Sequence, residues 1–507
     1  MSVLKDFPRT FWVANAMELF ERAAYYGLNS VLAGYLTLEV ANRGLGFSVQ
    51  SVGFLQGIVF AATYIVPILG GALADRYGYR RMLLLAFALL TTGYFAAGHT
   101  STFGLVFLGL LVMATGSGLF KPIVSGTIAR TTTEHTSSLG FGIYYWMINL
   151  GAFLAPLVVT VLKGFSWRSV FVASAAYCAA MLLPAVLLYR EPPRPASAKP
   201  LKEVLGGAVE VLGDARFMLM IVVYSGFWIL YFQNFGTVLY YLRDVVDKEP
   251  VNAAVTGLLR AVGLGWSFRF DIEHVTAINA GVIILLQVLV SRVVAKRAAL
   301  PTMVTGMLIG SLGFLLLAWS RNPWVFIAGI ATFSIGEMTA HPKYYSFVGL
   351  VAPEDRKAVY MGYAFLYGVF GSLLGSNVGA YLWERMVTPV LGTPAAAGRT
   401  RAFWLMFAVL DFVAAGALIL FARKLGVDSA RTRQQARVVM TIVYALLAVL
   451  GAGFGYVALS ANPAQYKTLV QAAIFLVLGA GGLVINGRRR APEPAEAARR
   501  AGGSCAG

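Results

Sequence analysis

The apolar positions of this chain run in near-continuous blocks of about 20 residues, the length needed to cross the hydrocarbon core of a bilayer as a helix. Fourteen such spans are predicted. The first six run near Phe11–Leu36, Val49–Leu73, Arg81–Ala97, Phe103–Ile128, Leu139–Leu162 and Ser169–Tyr189. A polar stretch from Arg190 to Leu201 follows and carries Pro192, Pro193, Pro195 and Pro200, the composition of a linker. Six more spans run near Phe217–Leu242, Thr276–Val294, Thr302–Trp319, Trp324–Val348, Ala358–Leu382 and Ala402–Ala422. Two last spans, near Val438–Leu459 and Leu469–Ile485, precede a polar tail rich in Ala and Arg. The expected organisation is a six-helix bundle (1–189), a linker (190–215), a second six-helix bundle (216–425), two additional helices (426–487) and a disordered tail (488–507).

Composition narrows the class. Of 507 residues 58% are hydrophobic and 13% charged, about half the charge of a soluble domain, so the pattern is that of an all-α, multi-pass membrane protein. The net charge of +18 would point to nucleic acid in a soluble protein, but here the basic residues sit between apolar spans. With the N-terminus inside, 26 lysines and arginines fall in cytoplasmic segments and 12 in outer ones, the bias of positive-inside loops. An even number of spans then puts both termini in the cytoplasm, and a bacterial inner membrane is the expected location. The N-terminus shows no short apolar region with a cleavage site, so no removable signal peptide is expected. Two cysteines in unlike settings and four histidines without HxxxH spacing predict no metal site, and no cofactor or nucleic-acid partner is expected.

Six helices, a linker and six helices resemble the plan of the major facilitator superfamily, in which two halves are related by a pseudo-two-fold axis. The stretch Gly70-Gly71-Ala72-Leu73-Ala74-Asp75-Arg76-Tyr77-Gly78-Tyr79-Arg80-Arg81 after the second span resembles that superfamily's cytoplasmic signature. The resemblance implies that Asp75, Arg76 and Arg80 gate the protein by bridging helices in one access state.

Charges at bilayer depth are costly and mark function. The first span holds Glu18, Glu21 and Arg22. At 100° per residue, Asn15, Glu18, Glu21, Arg22, Tyr25, Tyr26 and Asn29 share an arc of roughly 140°, while Phe20, Ala23, Ala24, Gly27 and Val31 lie opposite. Glu18 and Arg22 stand at i,i+4 in the favourable order for a pair. Lys121 in the fourth span and Glu337 in the tenth supply further charge. Tyr64, Tyr145, Asn149, Gln233 and Asn279 add hydrogen-bonding groups.

These residues resemble a known family. Glu18-Leu19-Phe20-Glu21-Arg22-Ala23-Ala24-Tyr25-Tyr26-Gly27 is similar to the ExxERFxYYG motif of the proton-dependent oligopeptide transporters. Gly118-Leu119-Phe120-Lys121-Pro122 is similar to GLFKP, Ile148-Asn149-Leu150-Gly151 to INxG, and Phe227-Trp228 with Gln233 to FWxxxxQ. Gly336-Glu337-Met338 with Pro342 resembles GELxxSP, and Met361-Gly362 resembles MG. The resemblance implies that Arg22 and Lys121 bind a substrate carboxylate, that Glu337, Asn149 and Asn279 hold the amino group, and that Tyr26, Asn29, Tyr64, Tyr145 and Gln233 line the site. It implies Glu18 and Glu21 as proton carriers.

Four positions depart from the family pattern. Phe232 replaces the seventh-span acid and Asn29 an arginine, two groups that can pair in the family, so their joint loss avoids an unpaired buried charge. His341 replaces the serine of GELxxSP, with Lys343 two residues on, and Ala280 replaces a proline. His341 stands one turn beyond Glu337, and the two are expected to serve as a substitute proton-handling pair. The leading expectation is proton-coupled symport of di- or tripeptides, or peptide-like solutes, by alternating access in a lipid bilayer. The alternative is a transporter of another organic anion or amphoteric solute with weak or no proton coupling. No nucleophile, base or metal-ligand arrangement favours an enzyme.

Overall fold

In a computed structural model, residues 6–133, 136–192, 206–207, 211–352, 357–460 and 466–488 are described. Most of the expected linker and nearly all of the expected tail lie outside the described residues. The helices are α1 Arg9–Asn29, α2 Leu32–Thr37, α3 Val49–Tyr77, α4 Tyr79–Gly98, α5 Phe103–Arg130, α6 Ser137–Phe165, α7 Trp167–Ala180 and α8 Leu182–Leu187. There follow α9 Ala215–Tyr231, α10 Thr237–Asp244, α11 Glu249–Ala261, α12 His274–Val294, α13 Ala299–Trp319, α14 Pro323–Val351, α15 Lys357–Tyr363, α16 Leu366–Met386, α17 Ala395–Leu425, α18 Ala430–Ser460 and α19 Tyr466–Arg488.

Thirteen spans among the described residues are long and apolar enough to cross a membrane. Helix α1, with 21 residues, is also long enough at 1.5 Å per residue. Its low apolarity comes from Glu18, Glu21 and Arg22, which are the charges of the site. With α1, fourteen spans result. The sixth and eleventh expected spans are each broken, at Met181 between α7 and α8 and at Ala364–Phe365 between α15 and α16. The seventh expected span is likewise broken, by a 3₁₀ turn at Phe232–Phe235 between α9 and α10, and the stretch after it folds into α11.

The chain forms two compact units. The first comprises residues 1–204 and 224–416, and so holds the bulk of both expected six-helix halves. In it α1 packs on α6, α7 and α5, α3 packs on α5 and α16, and α12 packs on α14 and α6. Glycines set the closest approaches. A Cβ on Gly151 of α6 would meet the Leu19 carbonyl oxygen at 2.8 Å, and one on Gly336 of α14 would meet the Gly306 carbonyl oxygen at 2.6 Å. Small residues of this kind let membrane helices pack backbone to backbone. Gly78, at φ +98°, makes the turn from α3 to α4 in a conformation that side chains rarely adopt. Prolines interrupt α3 at Pro67, α5 at Pro122, α6 at Pro156 and α14 at Pro342, each removing a ladder hydrogen bond and favouring a bend.

The second unit comprises residues 205–223 and 417–507. Helices α18 and α19 cross closely through Gly451 and Gly479: a Cβ on Gly479 would meet Ala448 N at 2.4 Å. Arg216 donates to the Leu425 and Gly426 carbonyls, each at 2.6 Å, and closes the end of α17. Asp428 is held below the ordinary carboxylate range, first by its hydrogen bonds from Arg433 and then by the charges of Arg433 and Arg216.

Candidate functional site

Helix α1 carries the densest charge. Glu18, Glu21 and Arg22 are 2%, 0% and 5% exposed. Both faces of the helix are covered by protein. The apolar side meets α6 and α7, with Gly27 against Ala155, the Ser174 hydroxyl donating to the Ala24 carbonyl, and Phe20 edge-on to Tyr177. The polar arc meets α5. There Arg22 Nε donates to Glu21 Oε2 at 2.5 Å, and its Nη2 also pairs with Glu21. Glu18 Oε1 stands 3.6 Å from Arg22 Nε. Arg22 Nη2 donates to Ser117 Oγ at 3.3 Å, and Ser117 in turn donates to Glu21 Oε1 at 2.9 Å.

Lys121, one turn beyond Ser117, makes no ion pair among the described residues; its Nζ lies 5.9 Å from the Tyr25 ring centre and 5.2 Å from that of Tyr64, within cation–π range. Arg22 lies over the same tyrosine cluster, 4.9 Å from the Tyr25 ring and 5.8 Å from Tyr26. The cationic pole is thus internally balanced at Arg22 and open at Lys121.

The anionic pole forms on α14 and α12. Asn279 Nδ2 donates to Glu337 Oε2 at 3.1 Å and to Ser334 Oγ at 2.8 Å. Tyr26 meets the Tyr25 ring edge-on at 5.3 Å and so extends the cluster beside Arg22. Tyr145, 42% exposed, is coupled to Glu337 and Tyr26. Tyr64 meets Phe232 and Tyr367 edge-on.

Two expected site residues are turned to their own helices, and a third ties two elements together. Asn149 donates to the Tyr145 carbonyl at 2.9 Å and Asn29 to the Tyr25 carbonyl at 2.8 Å. Gln233 joins a 3₁₀ turn, Phe232–Phe235, to α16: its Nε2 donates to the Ile229 and Gly375 carbonyls, and Thr237 donates to its Oε1. Phe232, where an acid was expected, stacks on Phe60 with ring centres 5.3 Å apart.

The structure does not bring His341 and Glu337 into contact. No ion pair joins them, because Glu337 turns to Asn279 while His341 enters an aromatic box. Its Nδ1 lies 3.4 Å from the Tyr224 hydroxyl and its Nε2 3.5 Å from that of Tyr367, and Trp228 and Tyr345 meet its ring edge-on. Lys343 donates to the Ala295 and Arg297 carbonyls and so anchors the end of α12.

Of the expected gating residues, Asp75 pairs with Arg130 of α5 at 2.9 Å. Arg80 donates to the Ala185 and Val186 carbonyls at the end of α8. Arg76 lies 5.6 Å from the Tyr77 ring.

At the opposite ends of the helices a second ionic cluster links the bundles. Lys163 of α6 contacts Asp271 at 2.6 Å and Glu273 at 2.7 Å, both just before α12. Thr160 donates to Glu273 Oε1 at 2.9 Å, and Lys248 lies 3.2 Å from Asp271. Burial alone would raise the Asp271 carboxyl, but Lys163 and Lys248 outweigh it and hold the group below its ordinary range. At the same ends Gln56 donates to the Phe235 carbonyl, Arg243 to the Thr37 hydroxyl, and the Gln50 amide to Glu384. The polar contacts between the halves therefore gather at the ends remote from Asp75.

Sequence reasoning missed Ser117, Ser334, this ionic cluster and Asp411. Asp411 is fully buried in α17 and accepts from Ser311 at 2.9 Å. The two serines were within reach of helical spacing, one turn from Lys121 and Glu337; nothing in the sequence pairs Lys163 with Asp271 and Glu273. Among the described residues no group of His, Cys, Asp and Glu could hold a metal ion.

Comparison with known proteins bears on the fold. Residues 19–376 match the model of the Major Facilitator Superfamily. A di-/tripeptide transporter of Lactococcus lactis subsp. lactis is 30% identical over 238 residues, 44% of this chain and 46% of that protein. A dipeptide and tripeptide permease B of Shigella dysenteriae is 24% identical over 74% of this chain and 87% of its own. The first curated relatives are thus matched over less than half of their length. Among solved structures, a peptide transporter in complex with sulfate superposes with a TM-score of 0.69 at 20% identity, covering 83% of this chain and 95% of that one. A transporter in complex with 5-aminolevulinic acid gives 0.67 at 20% identity, covering 83% and 99%.

Proposed function

The chain belongs to the Major Facilitator Superfamily, and from that premise we propose that it is a divergent proton-dependent oligopeptide transporter, moving di- or tripeptides, or peptide-like solutes, across a bacterial inner membrane with protons. The observation that carries this reading is the pair of oppositely charged poles. Arg22 and Lys121 gather over the Tyr25 ring at one, and Glu337 with Asn279 forms the other. A zwitterionic backbone presents a carboxylate and an ammonium in that same arrangement, and each gains charge-assisted hydrogen bonds.

The charge count supplies the coupling. Glu18, Glu21, Arg22 and Lys121 sum to zero when all are ionised. Adding a substrate carboxylate in a low-dielectric site leaves one uncompensated negative charge, which is costly. A proton on Glu18 or Glu21 removes that charge and frees Arg22 for the substrate, so proton and anion bind together. The contacts at the ends remote from Asp75 describe one access state. With the termini in the cytoplasm, as the loop charges favour, that state is closed outside and faces inward; alternating access exchanges it for the opposite one.

Phe232 supports a second reading, transport of an organic anion or amphoteric solute with weak proton coupling, because the seventh span has no acid to exchange a proton with α1. Proteoliposomes decide between them. Labelled dipeptide accumulating only with an inward proton gradient supports the first reading, and gradient-independent uptake supports the second. Arg22→Ala is expected to weaken uptake of a dipeptide far more than of its C-terminal amide. Equal losses would make Arg22 structural.

A further inference from the structure

We infer that Ser117 is a positioning residue that ties the protonation state of Glu21 to the reach of Arg22; the inference rests on the transport reading above. Ser117 is fully buried in α5. Its single hydroxyl proton goes to Glu21 Oε1 at 2.9 Å, while its oxygen takes a hydrogen bond from Arg22 Nη2 at 3.3 Å. Arg22 meanwhile occupies Glu21 Oε2. The three side chains close a ring in which each carboxylate oxygen of Glu21 has a donor.

Glu21 and Arg22 are neighbours on α1 and move with that helix. Ser117 belongs to α5 and lies one turn before Lys121, on the same face. Its hydroxyl therefore sets where the Glu21–Arg22 pair stands relative to Lys121, which is the spacing a carboxylate needs to touch both cations.

The groups that interact electrostatically with Glu21 or hydrogen-bond it come from five helices: Glu18, Arg22, Tyr25 and Tyr26 of α1, Lys121 and Ser117 of α5, Tyr94 of α4, Tyr144 of α6 and Cys178 of α7. Among the described residues, only Arg22 and Ser117 hydrogen-bond it. When Glu21 takes a proton on Oε1 it becomes the donor to Ser117 Oγ, and the serine proton turns to the carbonyl one turn back in α5, as helical serines do. Arg22 then faces a neutral carboxyl in place of a carboxylate and loses the charge-assisted part of its hold. The guanidinium is then freer for a substrate carboxylate. Ser117, bonded to both groups, thus links the protonation of Glu21 to the freedom of Arg22.

The test uses the full chain in proteoliposomes, comparing the unmodified protein with Ser117→Ala, Ser117→Cys and Ser117→Thr. Uptake of labelled dialanine and of its C-terminal amide is measured from pH 5 to 8. Removing a hydrogen bond to an ionised carboxylate favours its protonated form, so Ser117→Ala should move the midpoint of dipeptide uptake to higher pH by about one unit. Ser117→Cys, close in size but a weak donor, should follow Ala, and Ser117→Thr should keep the original midpoint. The preference for dialanine over its amide should fall several-fold in Ala and Cys and hold in Thr. An unmoved midpoint in Ala and Cys, with both variants folded and transporting, overturns the inference and leaves Ser117 as packing. A shift of equal size in Thr overturns it too, since the hydroxyl is then not the agent. If the unmodified protein takes up dialanine without any response to pH, the transport reading fails first, and this inference with it.

Discussion

Replacing Lys163 by Met should open the end of the protein at which the two halves are tied. Lys163 holds Asp271 at 2.6 Å and Glu273 at 2.7 Å. Asp271 is a third exposed and keeps Lys248, so its share is small. Glu273 has no exposure and keeps only Thr160 and, at 3.9 Å, His274. An uncompensated buried charge costs about 3–5 kcal/mol, and we take about 3 because Thr160 remains. At 1.4 kcal/mol per tenfold, that is a shift of roughly 100-fold between closed and open forms. A state closed in 99 molecules of 100 would become about evenly divided.

Spin labels at Phe165 and Trp266, both strongly exposed, in a background with Cys178 and Cys505 replaced, read this as a second, longer distance. Lys163→Met with Glu273→Gln removes both charges and should restore most of the short distance, since no buried charge is left unpaired. A single unchanged distance in Lys163→Met would refute the reasoning. So would failure of the double variant to recover. The pH dependence has a definite sign. Asp271 is depressed in the folded protein, so its contribution is complete above the ordinary carboxylate value near roughly 4 and is lost as pH falls below it. The share of Asp271 in this closure is therefore insensitive to pH between about 6 and 8.

The remaining predictions concern the anionic pole, the histidine and the second unit. Glu337→Gln keeps shape and removes charge, so N-acetylated dipeptides should lose least; equal losses of free and acetylated peptides in binding assays would remove Glu337 from amine recognition. His341→Gln should leave the pH profile of uptake between about 5.5 and 7.5 unchanged, since His341 faces tyrosines and a tryptophan and no carboxylate; a flattened profile would restore it as a proton group. Gly479→Leu should destabilise the α18–α19 crossing by about 1–3 kcal/mol and lower the thermal midpoint, with the ranking of substrates unchanged; an altered ranking would give that pair a part in selectivity.

The helices and the two poles were legible in the sequence because each leaves a local mark. A twenty-residue apolar block can only be a span or a core helix, and a charge inside one stands out against its neighbours. Glu18, Glu21, Arg22, Lys121 and Glu337 were found in this way. What the residues do with one another was less legible. Asn149 and Asn29 carry amides that could face a ligand or their own backbone, and spacing does not distinguish the two; the structure turns both to carbonyls four residues back. The i,i+4 relation of Glu337 and His341 permits a pair but does not make one. Pro342 lies immediately after His341, and the aromatic rings of α9 and α16 give His341 two hydroxyl partners that spacing along α14 could not reveal.

Phe232 and Asn29 show where local reading stops. Read as a pair, they say that a cation and an acid were lost together, which is correct physics for a buried site. They do not say what now holds the two halves. Phe232 stacks on Phe60 of α3 and meets Tyr64, so apolar contact takes the place of the ionic one in the interior. Ionic contact between the halves is found at the rim, where Lys163 meets Asp271 and Glu273. A pair at the rim differs from one in the interior in what can break it. An interior acid near the substrate site exchanges protons with that site, and so links closure to coupling. The rim contact of Lys163 with Asp271, a carboxylate held below its ordinary range, does not. Under the transport reading proposed above, closure and proton binding are separate devices, the first at Lys163 and the second at Glu18 and Glu21, linked through the helices that carry them.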